Sequence, residues 1–304
     1  MIKVAIIDAD TPLGGELLRL LVNHPDVDIT GLVSPRHAGE GAETVHHGLI
    51  GEASLRFCSE IPSEANALFF CGEQGPDLSM HSKAKQSELK IFDLSRNSYM
   101  ENKASSAVPA ISEIFRKPLV RGASETRILS PLENALLISL FPLARNLLLS
   151  SPLEVEVETS EAVMKDLNPQ RASELSERLL HGIQQSFSHN VEFKVKTTGQ
   201  DGRCLRIKTK LGLSMPIKDL KPLYEKVYDD HNFTFLTSAP IGMQEVEGTN
   251  KCLIALTRFN EGEVEVEAVC DARMRGAAGE AVLAMNLMFG LYERTGLQLK
   301  VSVY

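Results

Sequence analysis

The chain has no Cys-x-x-Cys pair, no uninterrupted apolar run of membrane length and no excess of basic charge. Its five cysteines, at positions 58, 71, 204, 252 and 270, are odd in number and scattered. That spacing supports neither a disulfide framework nor a zinc knuckle, and a reduced, cytoplasmic setting is expected. The longest apolar stretch, Ala135 to Ala144, is broken by Ser139 and Pro142. A membrane span needs about 20 apolar residues, so no membrane association is expected. The net charge of −8, from 32 basic and 40 acidic residues, argues against a nucleic-acid-coating surface. The N-terminus opens directly into Met1-Ile-Lys-Val-Ala-Ile-Ile7, without the layout of a signal peptide. No Gly-x-Ser-x-Gly elbow of a serine hydrolase occurs, and no repeat or low-complexity segment stands out.

What is present is ordinary globular material. The 304 residues suit roughly two domains of about 150 residues each. Apolar residues make up 43% and charged residues 24%, enough for a sizeable core. The first 145 residues read as alternating strands and helices. Strands are expected at Ile2–Ile7, Asp28–Val33, Leu55–Cys58, Ala67–Cys71, Leu89–Asp93 and Thr126–Ser130. Helices are expected at Leu13–Asn23, Ser79–Glu88 and Leu136–Leu149. Such alternation implies a parallel sheet with right-handed crossovers.

The texture then changes. Leu153–Thr159, Val191–Thr197 and Cys204–Lys210 alternate apolar and polar residues, as strands with one wet face do. A helix over Asn168–Phe187 begins with an N-cap candidate, Asn168, and Pro169 in its first turn. Another helix spans Pro216–Tyr228. A hairpin joins Cys252–Phe259 to Glu263–Ala272 around Asn260-Glu-Gly262. The expected fold is α/β. A Rossmann-like, doubly wound parallel sheet occupies residues 1–150, and an α+β domain for dimerisation or substrate occupies 151–272. In residues 273–304 the last helix, Gly276–Glu293, returns to the first domain.

The first strand, turn and helix form the place where such a domain takes a dinucleotide pyrophosphate, at the helix N-terminus. The turn reads Asp8-Ala9-Asp10-Thr11-Pro12-Leu13-Gly14-Gly15. Of the glycines such a turn needs, only the helix-packing one, Gly14, is in place. Asp8 and Asp10 bring negative charge to a site meant for anions, each contact costing on the order of 1–4 kcal/mol. The turn therefore reads either as a degraded nucleotide site or as a plain first turn of a doubly wound sheet. After the second strand comes Val33-Ser34-Pro35-Arg36, with no acid for a ribose hydroxyl. Ser34 and Arg36 suit a 2′-phosphate, so NADP is the cofactor expected if one binds; Arg36 is otherwise a solvated loop cation.

Several segments together carry a resemblance. They are Gly14-Gly-Glu-Leu-Leu-Arg-Leu-Leu21 with His24-Pro25, Ala38-Gly39, Leu68-Phe-Phe-Cys71, Ile91-Phe-Asp-Leu-Ser95 and Thr249-Asn-Lys-Cys252. The longest is Arg275-Gly-Ala-Ala-Gly-Glu-Ala-Val282 with Met285-Asn-Leu-Met-Phe-Gly290. On these the chain resembles N-acetyl-gamma-glutamyl-phosphate reductases, within the wider aspartate-semialdehyde dehydrogenase group. The resemblance implies an NADPH-dependent reduction of an acyl phosphate to a semialdehyde in arginine biosynthesis. A cysteine thiolate forms a thioester, hydride reduces it, and a histidine serves as acid and base. The cofactor candidates are thus Thr11, Gly14, Ser34 and Arg36, from the turn and the end of the second strand, and, as the resemblance implies, Gly276 and Gly279, although these two equally suit close helix packing.

The resemblance also exposes departures. The family's cysteine turn falls on Ile128-Leu-Ser-Pro-Leu-Glu-Asn-Ala-Leu136, at Pro131 or Glu133, and no cysteine occurs from 72 to 203. The histidine position falls near Ala172 in Arg171-Ala-Ser-Glu174; His181 is a shifted base or a helix-face residue. The glycine-rich substrate loop becomes Thr159-Ser-Glu-Ala-Val-Met164, and Arg203 only partly replaces the family's Arg-Gly. Two glycines of the phosphate turn become Asp8 and Thr11. Nucleophile, base, loop and turn all differ, so a non-catalytic paralogue with a structural, regulatory or ligand-binding role is expected. The alternative is an active reductase with a shifted or unconventional site. A homo-oligomer, dimer or tetramer, is expected through the second domain, with an active paralogue as a further partner. His46-His47 lacks companions at ligand spacing, so no metal is expected.

Overall fold

The computed structural model describes residues 1–52, 54–97, 107–213, 215–260 and 262–302. The chain forms two compact units. The first comprises Met1–Ile128 and Ala277–Gln298; the second comprises Leu129–Gly276 and the chain from Leu299 on.

The first unit is built on β1 (Ile2–Ile7), β2 (Val27–Val33), β3 (Phe57–Cys58), β4 (Ala67–Phe70), β5 (Lys90–Asp93), β6 (Val108–Pro109) and β7 (Glu125–Arg127). They form one sheet in the order β3-β2-β1-β4-β5-β7-β6, every pair parallel. A parallel sheet is covered on both faces, which is why Val4, Ala5, Ile6 and all of Ala67–Phe70 are buried. Helix α1 (Pro12–Leu21) turns Leu17, Leu18, Leu20 and Leu21 inward. Gly14 lets it approach the strand: a Cβ there would stand 2.7 Å from the Ala9 carbonyl oxygen. Helices α2 (Leu78–Gln86) and α3 (Ser112–Val120) follow β4 and β6. The chain order of the sheet reverses direction between β1 and β4, so a crevice opens at their carboxyl ends.

The second unit contains α4 (Pro131–Arg145), β8 (Leu153–Thr159), α5 (Glu161–Met164), α6 (Pro169–Ile183), β9 (Val191–Thr197), β10 (Cys204–Gly212), α7 (Ile217–Tyr228), β11 (Thr234–Thr237), β12 (Cys252–Asn260) and β13 (Glu263–Asp271). Its sheet runs β11-β12-β13-β10-β8-β9. One face carries paired charges, such as Lys194–Glu154, Arg206–Glu158 and Lys208–Glu265. The other is apolar and lies under α4, α6 and α7. Asn168 caps α6, its side-chain oxygen accepting from the Arg171 amide at 3.1 Å. Replacing Asn168 by Ala is expected to cost about 1 kcal/mol. Urea unfolding of the variant measures this, and an unchanged midpoint contradicts it.

Three expectations shift. Helix α4 starts at Pro131, five residues before the expected Leu136, and belongs to the second unit rather than closing a domain at 150. It is buried nearly all round, and Tyr224 and Tyr228 donate hydroxyl hydrogen bonds to its Ser139 and Ile138 carbonyls. The last helix, α8 (Ala278–Met288), is shorter than the expected Gly276–Glu293, because Gly276 and Gly290 both take positive φ, 70° and 71°. It packs against α1 and α3 within the first unit. Pro216 stands at the N-cap of α7 rather than inside it.

Candidate functional site

The carboxyl end of β1 places Asp8, Asp10 and Thr11 at the crevice where β1 and β4 part. Asp8 has φ 54°, the left-handed region where a glycine is at ease and where Asp is tolerated better than most residues. Its carboxylate lies over Gly72 at the end of β4, so close that a Cβ there would stand 1.9 Å from Asp8 Oδ2. Burial and the neighbouring Asp10 raise the Asp8 pKa against the lowering effect of Arg36.

A helix N-terminus binds anions through amides that have no partner in the helix. Here the turn uses most of them itself. Pro12 has no N–H. The Thr11 amide donates to the Asp8 carbonyl at 3.2 Å, and the Gly14 amide donates to Thr11 Oγ1 at 3.0 Å. Thr11 Oγ1 in turn donates toward the Asp8 and Cys71 carbonyls, at 2.9 and 3.2 Å.

The end of β2 adds Ser34, Arg36 and His37. The Arg36 guanidinium, 76% exposed, is bound to the Asp10 carboxylate at 2.5 Å. His37 lies 3.9 Å from the same carboxylate and 3.1 Å from Glu40. The cation read from sequence as a 2′-phosphate holder is thus paired within the chain. Ser34 Oγ is buried with no hydrogen-bond partner among the described residues. His46 was not foreseen here. Its Nε2 approaches the Ala9 carbonyl at 2.7 Å and its ring packs over Gly15. His47 Nδ1 meets the Glu43 carbonyl instead, at 3.0 Å, so the two histidines face different partners. Among the described residues no group of three or more His, Cys, Asp or Glu side chains is placed to hold a metal. Cys71 is buried, and desolvation with Asp8 and Asp93 nearby pushes its thiol far up, which suits a core residue and not a nucleophile.

The second unit holds the other expected positions. Pro131 is the first residue of α4 and Glu133 the third. Glu133 is buried and its carboxylate accepts a hydrogen bond from the hydroxyl of Ser130, the residue at the N-cap, a side-chain pair and not a cap of the backbone amides. A carboxylate there also complements the positive end of the helix. Gly276 presses on this turn: a Cβ would stand 2.7 Å from the Pro131 Cα. Close packing therefore accounts for Gly276. Gly279 is buried in α8, in the other unit.

Ala172 lies on the buried face of α6, 1% exposed, and the Arg171 amide donates to the N-cap Asn168. His181 Nδ1 holds the Phe187 carbonyl at 2.9 Å, fastening the loop after α6. Ser160, in the glycine-free stretch read as replacing a glycine-rich loop, caps the four-residue α5 by accepting from the Val163 amide. Arg203 Nε is tied to the buried Asp271 at 2.5 Å, and Asp271 also accepts from the Gly248 and Arg273 amides.

A family model described as semialdehyde dehydrogenase, NAD binding domain, matches residues 3–119. The chain is 32% identical to an N-acetyl-gamma-glutamyl-phosphate reductase of Parabacteroides distasonis, with all of both chains covered. It is 31% identical to one of Christiangramia forsetii over the same full extent. Among solved structures, aspartate semialdehyde dehydrogenase II of Vibrio cholerae, complexed with ASA, superposes with a TM-score of 0.69 at 14% identity. That match covers 96% of this chain and 99% of the other. The Candida albicans aspartate semialdehyde dehydrogenase with NADP gives 0.68 at 12% identity, covering 95% and 99%. These structures share the two-unit α/β fold. The identity of 32% and 31% to these reductases, over the full length of both chains, places this chain in the N-acetyl-gamma-glutamyl-phosphate reductase family.

Proposed function

We propose that this chain is a member of the reductase family that has lost acyl-phosphate reduction and serves a structural, regulatory or ligand-binding role. The observation that carries the reading is Glu133. It stands in the window where the resemblance puts the nucleophilic cysteine, and it is engaged with Ser130 as part of the start of α4. A carboxylate cannot form the thioester that hydride would reduce, and no cysteine lies between 72 and 203 to replace it. Near Ala172 the base position offers an aliphatic side chain inside the core.

The cofactor reading points the same way. A dinucleotide pyrophosphate needs free amides and neutral or positive surroundings at the first turn. Thr11 holds the Gly14 amide, Pro12 has none, and the Asp8 carboxylate lies over Gly72 in the crevice. Arg36, the cation for a 2′-phosphate, is bound to Asp10. On this reading the residues at the turn do not fit NADP. Among the described residues no helix is long and apolar enough to cross a membrane. The partners we propose are further copies of this chain, as a dimer or tetramer, and an active member of the same family.

The direct test supplies the purified chain with an N-acyl-glutamate semialdehyde, phosphate and NADP, and follows NADPH absorbance. No turnover is expected; turnover at a rate ordinary for an enzyme overturns the reading. A second test installs the thiol. Glu133→Cys alone is expected to leave turnover at background, because the base, the substrate loop and the phosphate turn also differ. Acyl-thioester formation with reduction in that variant contradicts the reading.

A further inference from the structure

We propose that Cys252 and Cys270 form a redox-active cross-strand pair, closed to a disulfide by thiol oxidants of the azo or disulfide class. The pair lies in the sheet of the second unit and shares no residue with the crevice or with the start of α4. Cys252 opens β12 and Cys270 is the last residue but one of β13; the two stand directly opposite each other in the antiparallel ladder.

Hydrogen bonding fixes which kind of opposed pair this is. The Cys252 amide donates to the Phe233 carbonyl at 2.8 Å, toward β11 and away from β13. On the far side, the Ala272 amide donates to the Arg203 carbonyl at 2.7 Å, so the Cys270 backbone, two residues away, faces β10 by the same alternation. Cys252 and Cys270 are therefore a non-hydrogen-bonded pair, with Cα atoms about 4.5 Å apart and side chains on the same face. That separation lies within the range of about 4.4–6.8 Å that a disulfide spans. Cys204, on β10, opposes Asp271, and its neighbour Leu205 opposes Cys270. Side chains alternate along a strand, so Cys204 points to the other face and cannot compete. Its thiol instead contacts the Met243 carbonyl at 3.3 Å.

Both thiols are fully buried, and burial pushes the Cys270 thiol well up. Reaction therefore goes through local opening. The pair sits at the end of the hairpin away from the Asn260–Glu263 pair, where both strands end, so local opening of those ends is what exposes it. With diamide, the two S–H bonds break and one S–S bond forms. Two protons and two electrons pass to the azo bond, which becomes a hydrazine. With glutathione disulfide, one cysteine displaces a glutathione thiolate and the other displaces the second. The closed bond staples the strand end that carries Asp271 and its contacts to Arg203 and Gly248.

The experiment uses the full chain, reduced, desalted and exposed to diamide, then denatured in N-ethylmaleimide. Reduced protein takes five adducts, one for each cysteine, and oxidised protein is expected to take three. Trypsin without reductant should release the peptide 252–258 joined to 259–273. Oxidation should raise the Tm by about 6 °C, reversed by dithiothreitol, because the closed loop constrains the unfolded chain. A Cys58→Ser background removes the half-buried thiol, and the expected count there falls from four to two. Unchanged adduct counts overturn the proposal, as does a link joining any other cysteines. The wild-type comparison stands without any variant in the pair; Cys252→Ser should abolish the Tm rise.

Discussion

Asp8→Gly combined with Thr11→Gly is expected to raise NADPH affinity about 100-fold over the natural chain. Each removed like-charge contact with a phosphate is worth on the order of 1–4 kcal/mol, and 2.7 kcal/mol is about a factor of 100. Removing the Thr11 hydroxyl frees the Gly14 amide, which it now holds at 3.0 Å, at a cost of only a few tenths of a kcal/mol in helix capping. Removing the Asp8 carboxylate clears the space over Gly72 and relieves a non-glycine residue at φ 54°. Isothermal titration with NADPH, and with NADH as control, should show saturable binding in the variant where the natural chain gives no saturable signal. The same lack of signal, or equal affinity, in the two would mean that the turn does not govern binding. A stability signature accompanies it. The folded chain holds the Asp8 proton more tightly than the unfolded chain does, because burial and Asp10 raise its pKa. The native state thus binds more protons in the window just above the ordinary aspartate value, and stability falls as pH rises through it. In Asp8→Gly that fall should be absent from urea midpoints taken across the window.

Gly276→Ala is expected to destabilise the protein by about 3 kcal/mol. Two effects add. The residue has φ 70°, a conformation that costs an L-residue about 1 kcal/mol or more. The new Cβ would also stand 2.7 Å from the Pro131 Cα and 2.8 Å from its nitrogen. Backbone cannot swing aside as a side-chain tip can, so overpacking adds roughly 1–3 kcal/mol. Gly199→Ala separates the two effects. Gly199 has φ 73° but open space around it, so only the conformational cost applies. Urea unfolding of both variants should show Gly276→Ala losing the more stability, and equal losses would remove the close-packing account of this glycine.

The strands and helices with a clear period were legible in the sequence. Leu153–Thr159 alternates cleanly and is β8; Leu13, Leu17, Leu18 and Leu21 mark α1. Elements without a period were not. Helix α4 begins with Pro131, Leu132, Glu133 and Asn134, all buried, so its polar residues read as a turn although they lie in the core. Helix α3 has Pro118 inside it and a kink at Phe115, β6 has two residues, and β11 is a four-residue edge strand; none has a pattern long enough to read. At the site, the wrong sign of charge at Asp8 and Asp10 was visible because it is local. The Arg36–Asp10 pair and the reach of His46 to Ala9 were not, since they join residues 26 and 37 positions apart. Pairing across the sheet likewise decided Cys252 and Cys270, which spacing alone had left as scattered thiols.

The account depends most on whether the first turn still admits a dinucleotide. Titration of the purified natural chain with NADPH, followed by nicotinamide fluorescence and with NADH as control, measures that directly. The filled turn predicts no saturable signal up to millimolar NADPH. Saturation at micromolar NADPH would contradict the account: Asp8 and Thr11 would then be tolerated, and the search for a hydride-transfer reaction would reopen.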